Sequence, residues 1–176
     1  MSGREHQYGT TVTWTGNQGT GTSGYKAYSR DLEITTPGKP PIPGSSDPAF
    51  RGDPARYNPE DMLVASLSAC HMLWYLHLCA VNGVSVTAYT DDAGGTMAEE
   101  AHGGGRFTDV VLRPQVTLAP GSDSAKAVAL HHEAHEKCFI ANSVNFPVRV
   151  EARITVGGSP LNDKEKTPFR MEGGDS

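Results

Sequence analysis

Hydrophobic residues follow two different rhythms along this chain. Residues 7–15 set Tyr8, Thr10, Val12 and Trp14 against polar neighbours, an alternation that predicts a half-buried strand. A glycine-rich turn at 16–24 leads to a second predicted strand near 26–36, with Tyr28, Leu32 and Ile34 as its apolar contributions. The alternation then stops. Residues 37–55 hold six prolines and several glycines, which predicts a long loop without secondary structure; loops of that length in compact domains are disordered or functional. The second rhythm runs from Pro59 to Val81, where apolar residues fall on every side of a helical wheel and no Lys or Arg occurs. A helix of that composition is expected to be buried all round, with the rest of the chain wrapped about it.

The ends of that helix are marked. Asn58 can accept from free backbone N–H groups, Pro59 lacks the N–H that would be orphaned, and Glu60 and Asp61 face the positive end of the helix dipole. Asn82-Gly83 is a matching stop, because Gly tolerates the left-handed conformation that closes helices. Beyond it, residues 84–90 read as a strand, 94–105 as a glycine-rich connection, and 106–118 as a further strand bulged near Pro114. Ser122 or Ser124 is expected to cap a second helix reaching about Cys138, on which Val128, His131, His135 and Cys138 share one stripe. Val148, Val150, Ala152, Ile154 and Val156 alternate as a last strand, and residues 157–176 form a polar tail expected to be disordered. The order of elements predicts an α+β domain over residues 1–156, with an antiparallel-rich sheet against helices.

Composition narrows the function. A net charge of −5 argues against a nucleic-acid partner. The helix is roughly long enough to span a bilayer. It nevertheless contains two Ser, two His and a Tyr, and no basic cluster flanks it. The first residues lack an apolar run, so no secretion signal is expected. A soluble, cytoplasmic protein is the expectation. Its three cysteines, Cys70, Cys79 and Cys138, are too few and too widely spaced for a secreted disulfide framework. In a reducing compartment they are either core residues or chemistry.

A cysteine in an apolar helix is ordinarily core, and a reactive one needs a cation or a helix N-terminus to stabilise its thiolate. Arg51 and Arg56, in the preceding loop, are the nearby cations by sequence, and Glu60 can hold an Arg through a bidentate contact. The bland reading of Glu60 is a residue that simply complements the helix dipole. Cys79 lies nine residues after Cys70, on nearly the opposite face, and is expected in the core.

Three segments carry a resemblance: Asn58-Pro59-Glu60-Asp61, the run Ser66-Leu67-Ser68-Ala69-Cys70-His71, and Cys138 followed by Asn142-Ser143-Val144. Together they resemble the OsmC/Ohr family of thiol-dependent hydroperoxide reductases, in its OsmC-like branch, over most of residues 8–156. The resemblance implies a sheet wrapped around two central helices in an intertwined homodimer. It makes Cys70 the peroxidatic nucleophile, Cys138 the resolving cysteine and Glu60 the acid that holds an Arg. Matched without gaps, the family's Arg falls on Phe50; Arg51, one residue later, is preferred over Arg56 as its counterpart. Organic hydroperoxides, and hydrogen peroxide less readily, are the implied substrates. A dithiol, of the lipoyl type in the family, is the implied reductant.

Geometry constrains that transfer. On one straight helix, Glu60 and Cys70 stand about 15 Å apart along the axis and point some 80° apart. Either the helix breaks, with Ser66 or Ser68 recapping a second segment so that Cys70 lies in its first turn, or a partner subunit completes the site; the break is the preferred expectation. Met62, Leu63, Met72, Phe139 and Phe146 are candidates for an apolar wall favouring organic peroxides. His131, His132 and His135 with Cys138 offer a zinc-type stripe, but an exposed helix face is the plainer reading, and no cofactor or metal is expected. The rival function is a non-enzymatic binder of a small hydrophobic ligand, with a zinc-dependent hydrolase behind it.

Overall fold

The helix signals hold at both ends. In the computed structural model, which describes residues 3–157, helix α1 runs unbroken from Pro59 to Val81. Asn58 Oδ1 accepts the Asp61 N–H at 2.7 Å, and the Asp61 carboxylate accepts the Asn58 N–H at 3.3 Å, a reciprocal cap that satisfies two otherwise orphaned donors. At the other end Gly83 takes φ 73°, and the Val84 N–H returns to the Cys79 carbonyl at 2.9 Å, closing the last turn through a left-handed residue.

Two expectations for α1 are corrected. The helix does not break at Ser66 or Ser68: no Gly or Pro interrupts the ladder between Glu60 and Val81, and the Ser68 hydroxyl donates to Asp91 Oδ2 at 2.5 Å instead of recapping a segment. Nor is the helix buried all round within the chain. Leu67, His71, Tyr75, Leu78 and Cys79 form one buried stripe, while Leu73 and Val81 are 63% and 65% exposed. Residues spaced by three and four share a single helix face, so one chain covers only that face.

The chain forms two compact units, divided after Leu63. In the first, strands β1 (Thr11–Trp14), β2 (Leu32–Thr35) and β3 (Ile42–Gly44) make an antiparallel meander in the order β1-β2-β3. Strand β1 is exposed along its length rather than half-buried, and Tyr28 lies before β2, its ring edge-on to Trp14 at 5.7 Å. The proline-rich segment is not a bare loop: it contains β3 and a 3-10 turn over Pro48–Phe50. Pro43 is tolerated because β3 is an edge strand, where a missing N–H removes little.

The second unit carries β4 (Val86–Asp91), β5 (Gly94–Glu99), β6 (Gly105–Leu112), β7 (Pro114–Leu118), helix α2 (Ser124–Lys137), β8 (Val148–Val150) and β9 (Arg153–Val156). They form two three-stranded sheets, β4-β7-β9 and β5-β6-β8. The expected strand over 106–118 is two strands in different sheets, because the Arg113 N–H leaves the ladder to donate to Asp91 Oδ1 at 2.6 Å. The last strand divides likewise, β8 running parallel to β6 and β9 parallel to β7. The glycine-rich connection is mostly strand β5, paired with β6. Gly95 is required there: a Cβ would stand 2.7 Å from the Phe107 ring.

Helix α2 is capped by Asp123, whose carboxylate accepts the Lys126 N–H at 2.9 Å, rather than by either serine; a carboxylate adds a favourable charge to the positive helix end. Tyr75, Leu78, Val116, Leu118, Leu130 and Ala134 belong to the core that joins α1, α2 and the β4-β7-β9 sheet. The expected tail falls on residues outside those described, apart from Gly157. Replacing Asn58 by Ala removes one capping acceptor and is expected to cost about 1 kcal/mol, measured as a lower urea midpoint with an unchanged slope; Asn58→Asp should restore most of it.

Candidate active site at a pair of thiols

Cys70 lies near the middle of α1 and is half-buried, whereas Cys138 is 1% exposed. Helix α2 ends at Lys137, and Cys138 follows as its C-cap in extended conformation, with φ −69° and ψ 107°. A tight turn then begins: the Asn142 N–H returns to the Cys138 carbonyl at 3.0 Å and the Asn142 side chain donates to the Glu136 carbonyl at 2.9 Å. The turn aims backbone donors at sulfur, so that the Ala141 N–H reaches Cys138 Sγ at 3.5 Å, with Ile140 contributing a second.

Cys70 neighbours the Cys138 thiol closely enough to raise its pKa, and both cysteines are free. Burial, reinforced by the neighbouring Cys70, pushes the Cys138 pKa up to about 11, against the opposing pull of the two N–H groups. Cys138 is therefore a protonated thiol at neutral pH, held against a more accessible one. Around the pair, Trp74 on α1 meets Phe139 edge-to-face with ring centroids 5.7 Å apart. Phe139 is 69% exposed and Met72 half-buried. Phe146 turns to Phe107 instead, at 5.5 Å.

The candidate cation belongs to the first unit. Asp47 caps the 3-10 turn by accepting the Ala49 N–H at 2.7 Å, and its carbonyl accepts from Gly52 at 3.0 Å. Arg51 is held in the left-handed region, φ 67°, a conformation that costs a non-glycine residue of order 1 kcal/mol. Gly52 permits the turn, since a Cβ there would lie 1.5 Å from the Ser46 carbonyl oxygen. The Arg51 guanidinium stands 5.7 Å from the centre of the Tyr25 ring. It reaches no carboxylate among the described residues. Arg56 is already engaged, with Asp53 at 3.4 Å and Asp31 at 3.8 Å. Glu60 Oε2 is buried without a hydrogen-bond partner. Among the described residues, Arg51 and Glu60 form no ion pair.

One feature was missed in the sequence. His71 and His131, 0% and 5% exposed, join through His71 Nε2 and His131 Nδ1 at 3.0 Å. Tyr75 stacks on His131, with ring centroids 3.7 Å apart. His71 sits in the α1 stripe between Leu67 and Tyr75, a position that could have marked it as inward-facing. Burial lowers the His71 pKa to about 4, with His135 adding repulsion, and burial with repulsion from His71 lowers that of His131 to about 3. The zinc-type stripe does not assemble: no three His, Cys, Asp or Glu side chains converge on a metal-sized site among the described residues. Cys79 is buried in the core. A shallow depression of about 440 Å³ lined by Leu76, Cys79, Ala80, Gly83, Val84, Ser85 and Val86 includes neither Cys70 nor Cys138.

Comparison with known proteins places this arrangement. The family model described as "OsmC-like protein" matches residues 52–153. An OsmC-like protein of unknown function from Vibrio cholerae O1 biovar eltor is 35% identical, with a TM-score of 0.76 over 85% of this chain and 100% of its own. An organic hydroperoxide resistance protein OsmC from Legionella pneumophila shares the fold at 21% identity, TM-score 0.61, over 86% of this chain and 100% of its own. One from Elizabethkingia anophelis does so at 18% identity, TM-score 0.61, over 87% and 99%. No curated protein matches the chain.

The histidine pair makes stability depend on pH. Both folded-state pKa values lie below the unfolded value of 6.5, so below that pH the unfolded chain binds more protons and stability falls as pH falls toward 4. Each histidine contributes a slope approaching 1.4 kcal/mol per pH unit. Urea unfolding between pH 6.5 and 5 should show that slope, and the double variant H71Q/H131N should flatten it.

Proposed function

We propose that this chain, which belongs to the OsmC-like protein family, is a thiol-dependent peroxidase that reduces organic hydroperoxides. The observation that carries this reading is the proximity of the two thiols: half-buried Cys70 on α1 neighbours sequestered Cys138 at the end of α2 closely enough to raise its pKa. The names of two fold relatives, organic hydroperoxide resistance proteins, point to the same substrate class.

In the proposed cycle the Cys70 thiolate attacks the outer oxygen of the peroxide and breaks the O–O bond. An alkoxide leaves and takes up a proton as the alcohol, and Cys70 becomes a sulfenic acid. Cys138 then attacks that sulfur, its thiol proton leaves with the displaced hydroxide as water, and a Cys70–Cys138 disulfide results. An external dithiol, in our reading a lipoyl-type one, returns both thiols by two exchange steps. Retaining protonated Cys138 for the second step suits its raised pKa, because a neutral thiol does not compete with Cys70 for peroxide. The thiol form of both cysteines also suits a cytoplasmic location.

Cys70 needs a cation. Arg51 is the candidate, since Arg56 is occupied by two carboxylates. Glu60, with an oxygen buried and unpartnered, is the carboxylate to hold it. An unbroken α1 puts Glu60 about 15 Å along the helix from Cys70 of the same chain, so this reading takes Arg51 and Glu60 from a second copy in a homodimer. The Trp74–Phe139 pair is the apolar wall.

Mass spectrometry after one equivalent of cumene hydroperoxide, without reductant, is expected to give a Cys70–Cys138 crosslinked peptide that is absent in Cys70→Ser. Two unmodified thiols in folded protein would sink the peroxidase reading and favour a non-enzymatic ligand binder. Arg51→Ala should slow peroxide consumption roughly 10- to 100-fold, the worth of one charge-assisted contact, with Arg56→Ala nearer wild type. Phe139→Ser should reduce the preference for cumene hydroperoxide over hydrogen peroxide by about tenfold, within the range of an apolar contact.

A further inference from the structure

The cycle proposed above employs two cysteines and a cation and leaves a buried polar pair next to the nucleophile without a task. His71 follows Cys70 directly. His131 stands seven residues, two helical turns, before Cys138 and on the same face of α2. The two ring planes are within 7° of parallel, with centroids 5.3 Å apart, and Nε2 of His71 and Nδ1 of His131 are 3.0 Å apart. One ring must offer an N–H and the other a lone pair, an arrangement available to neutral imidazoles. Tyr75, one turn after His71, lies flat on His131 at 3.7 Å and 9°, which fixes the plane of the ring.

This pair is not explained by stability. The outer nitrogens, His71 Nδ1 and His131 Nε2, are buried without hydrogen-bond partners. Each such atom carries an uncompensated desolvation cost that two apolar side chains of matching shape would avoid. A hydrogen bond supplies what apolar packing does not: a fixed length and direction. It pins α1 at the residue beside the first thiol, and α2 on the face that carries the second.

We propose that the His71–His131 hydrogen bond is a positioning rung that keeps Cys138 in reach of Cys70 and governs disulfide closure rather than attack on the peroxide. The inference rests on the thiol-peroxidase reading. Attack needs only the Cys70 thiolate and its substrate. Closure is more demanding, because Cys138 sulfur must come from a non-bonded position to a bond of about 2.05 Å. In that step the S–O bond of the sulfenic acid breaks, the S–S bond forms, and the Cys138 proton leaves with the hydroxide as water. Cys138 is oxidised, the sulfenic sulfur is reduced, and no outside oxidant is consumed.

The test separates the two half-reactions. Attack is timed by stopped flow in a Cys138→Ser background. Closure is timed with both cysteines present, by Trp fluorescence and by dimedone trapping of the sulfenic acid with mass detection. His131→Leu is expected to slow closure roughly 10- to 100-fold, the cost of misplacing a reacting group by about an ångström, and to accumulate dimedone-trapped Cys70. Attack should stay within about threefold of wild type, too little to signal a misplaced reacting group. His131→Asn, whose amide reaches the position of Nδ1, should bring closure back to within about threefold of wild type, as restored positioning requires. If His131→Leu does not fold, His131→Gln, with its amide one carbon too far, serves as the broken rung. Unchanged closure in the broken-rung variant overturns the proposal. So does His131→Asn closing as slowly as the broken rung, or attack and closure slowing in parallel. A diamide arm forms the disulfide without peroxide and should give the same order of rates. If wild-type protein consumes no peroxide while that order holds, the peroxidase reading fails and the rung stands; if the order is lost, the rung fails whatever the peroxide assay shows.

Discussion

A thiol in the middle of a long helix receives no help from its own backbone. Every N–H around Cys70 is spent on the α1 ladder, and the positive end of the helix lies more than ten residues away at Asn58. The dipole effect fades within the first turn. A reactive Cys70, as proposed, would need its support from other elements. Helix α2 stops where its C-cap brings a second sulfur to the first. Within the first unit, taken by itself, a 3-10 turn with a left-handed residue holds Arg51, which reaches no carboxylate among the described residues.

The elements that were legible in the sequence are those specified locally. Asn58, Pro59 and Gly83 mark the ends of α1 through chemistry complete within a few residues, and alternation marked segments that do form strands. The failures share a cause. Gly95 looked like a loop residue because its reason for being Gly is the Phe107 ring on another strand. Residues 106–118 looked like one strand because the departure at Arg113 is driven by Asp91, more than twenty residues earlier. Pro43 looked like a strand breaker because nothing local shows that β3 is an edge. The expected burial of α1 on all sides came from composition, and composition does not say whether one chain supplies the cover.

The candidate site divides along the same line. Cys70, Cys138 and Glu60 came from a resemblance in motif, and the structure brings the first two together while leaving Glu60 Oε2 buried and unpartnered. Arg51 is preferred over Arg56 for its place in the motif; the fold adds that Arg56 is engaged by Asp53 and Asp31. The break expected near Ser66 or Ser68 was inferred to rescue a one-chain site, and the Ser68–Asp91 hydrogen bond gives that serine a different role. His71 was readable as an inward-facing residue from its place in the stripe. Its partner was not, because the pair is separated by sixty positions.

The two cysteines differ in burial, and that difference fits the order of roles proposed for them. Cys138 is enclosed, and burial outweighs the two backbone N–H groups that would otherwise favour its thiolate. At neutral pH it neither meets peroxide readily nor presents the nucleophilic form. Cys70 is the accessible member of the pair. In the proposed cycle a peroxide entering from solvent would meet Cys70 first, and only after Cys70 carried an oxygen would its neighbour gain an electrophile to attack. Enclosure, which makes Cys138 a poor first nucleophile, would keep it as a thiol for the second step of the proposed cycle. That reserve is useful only if the second sulfur is held in place. A buried hydrogen bond with fixed direction, anchored one residue from Cys70, meets that demand better than apolar packing, which has no preferred angle.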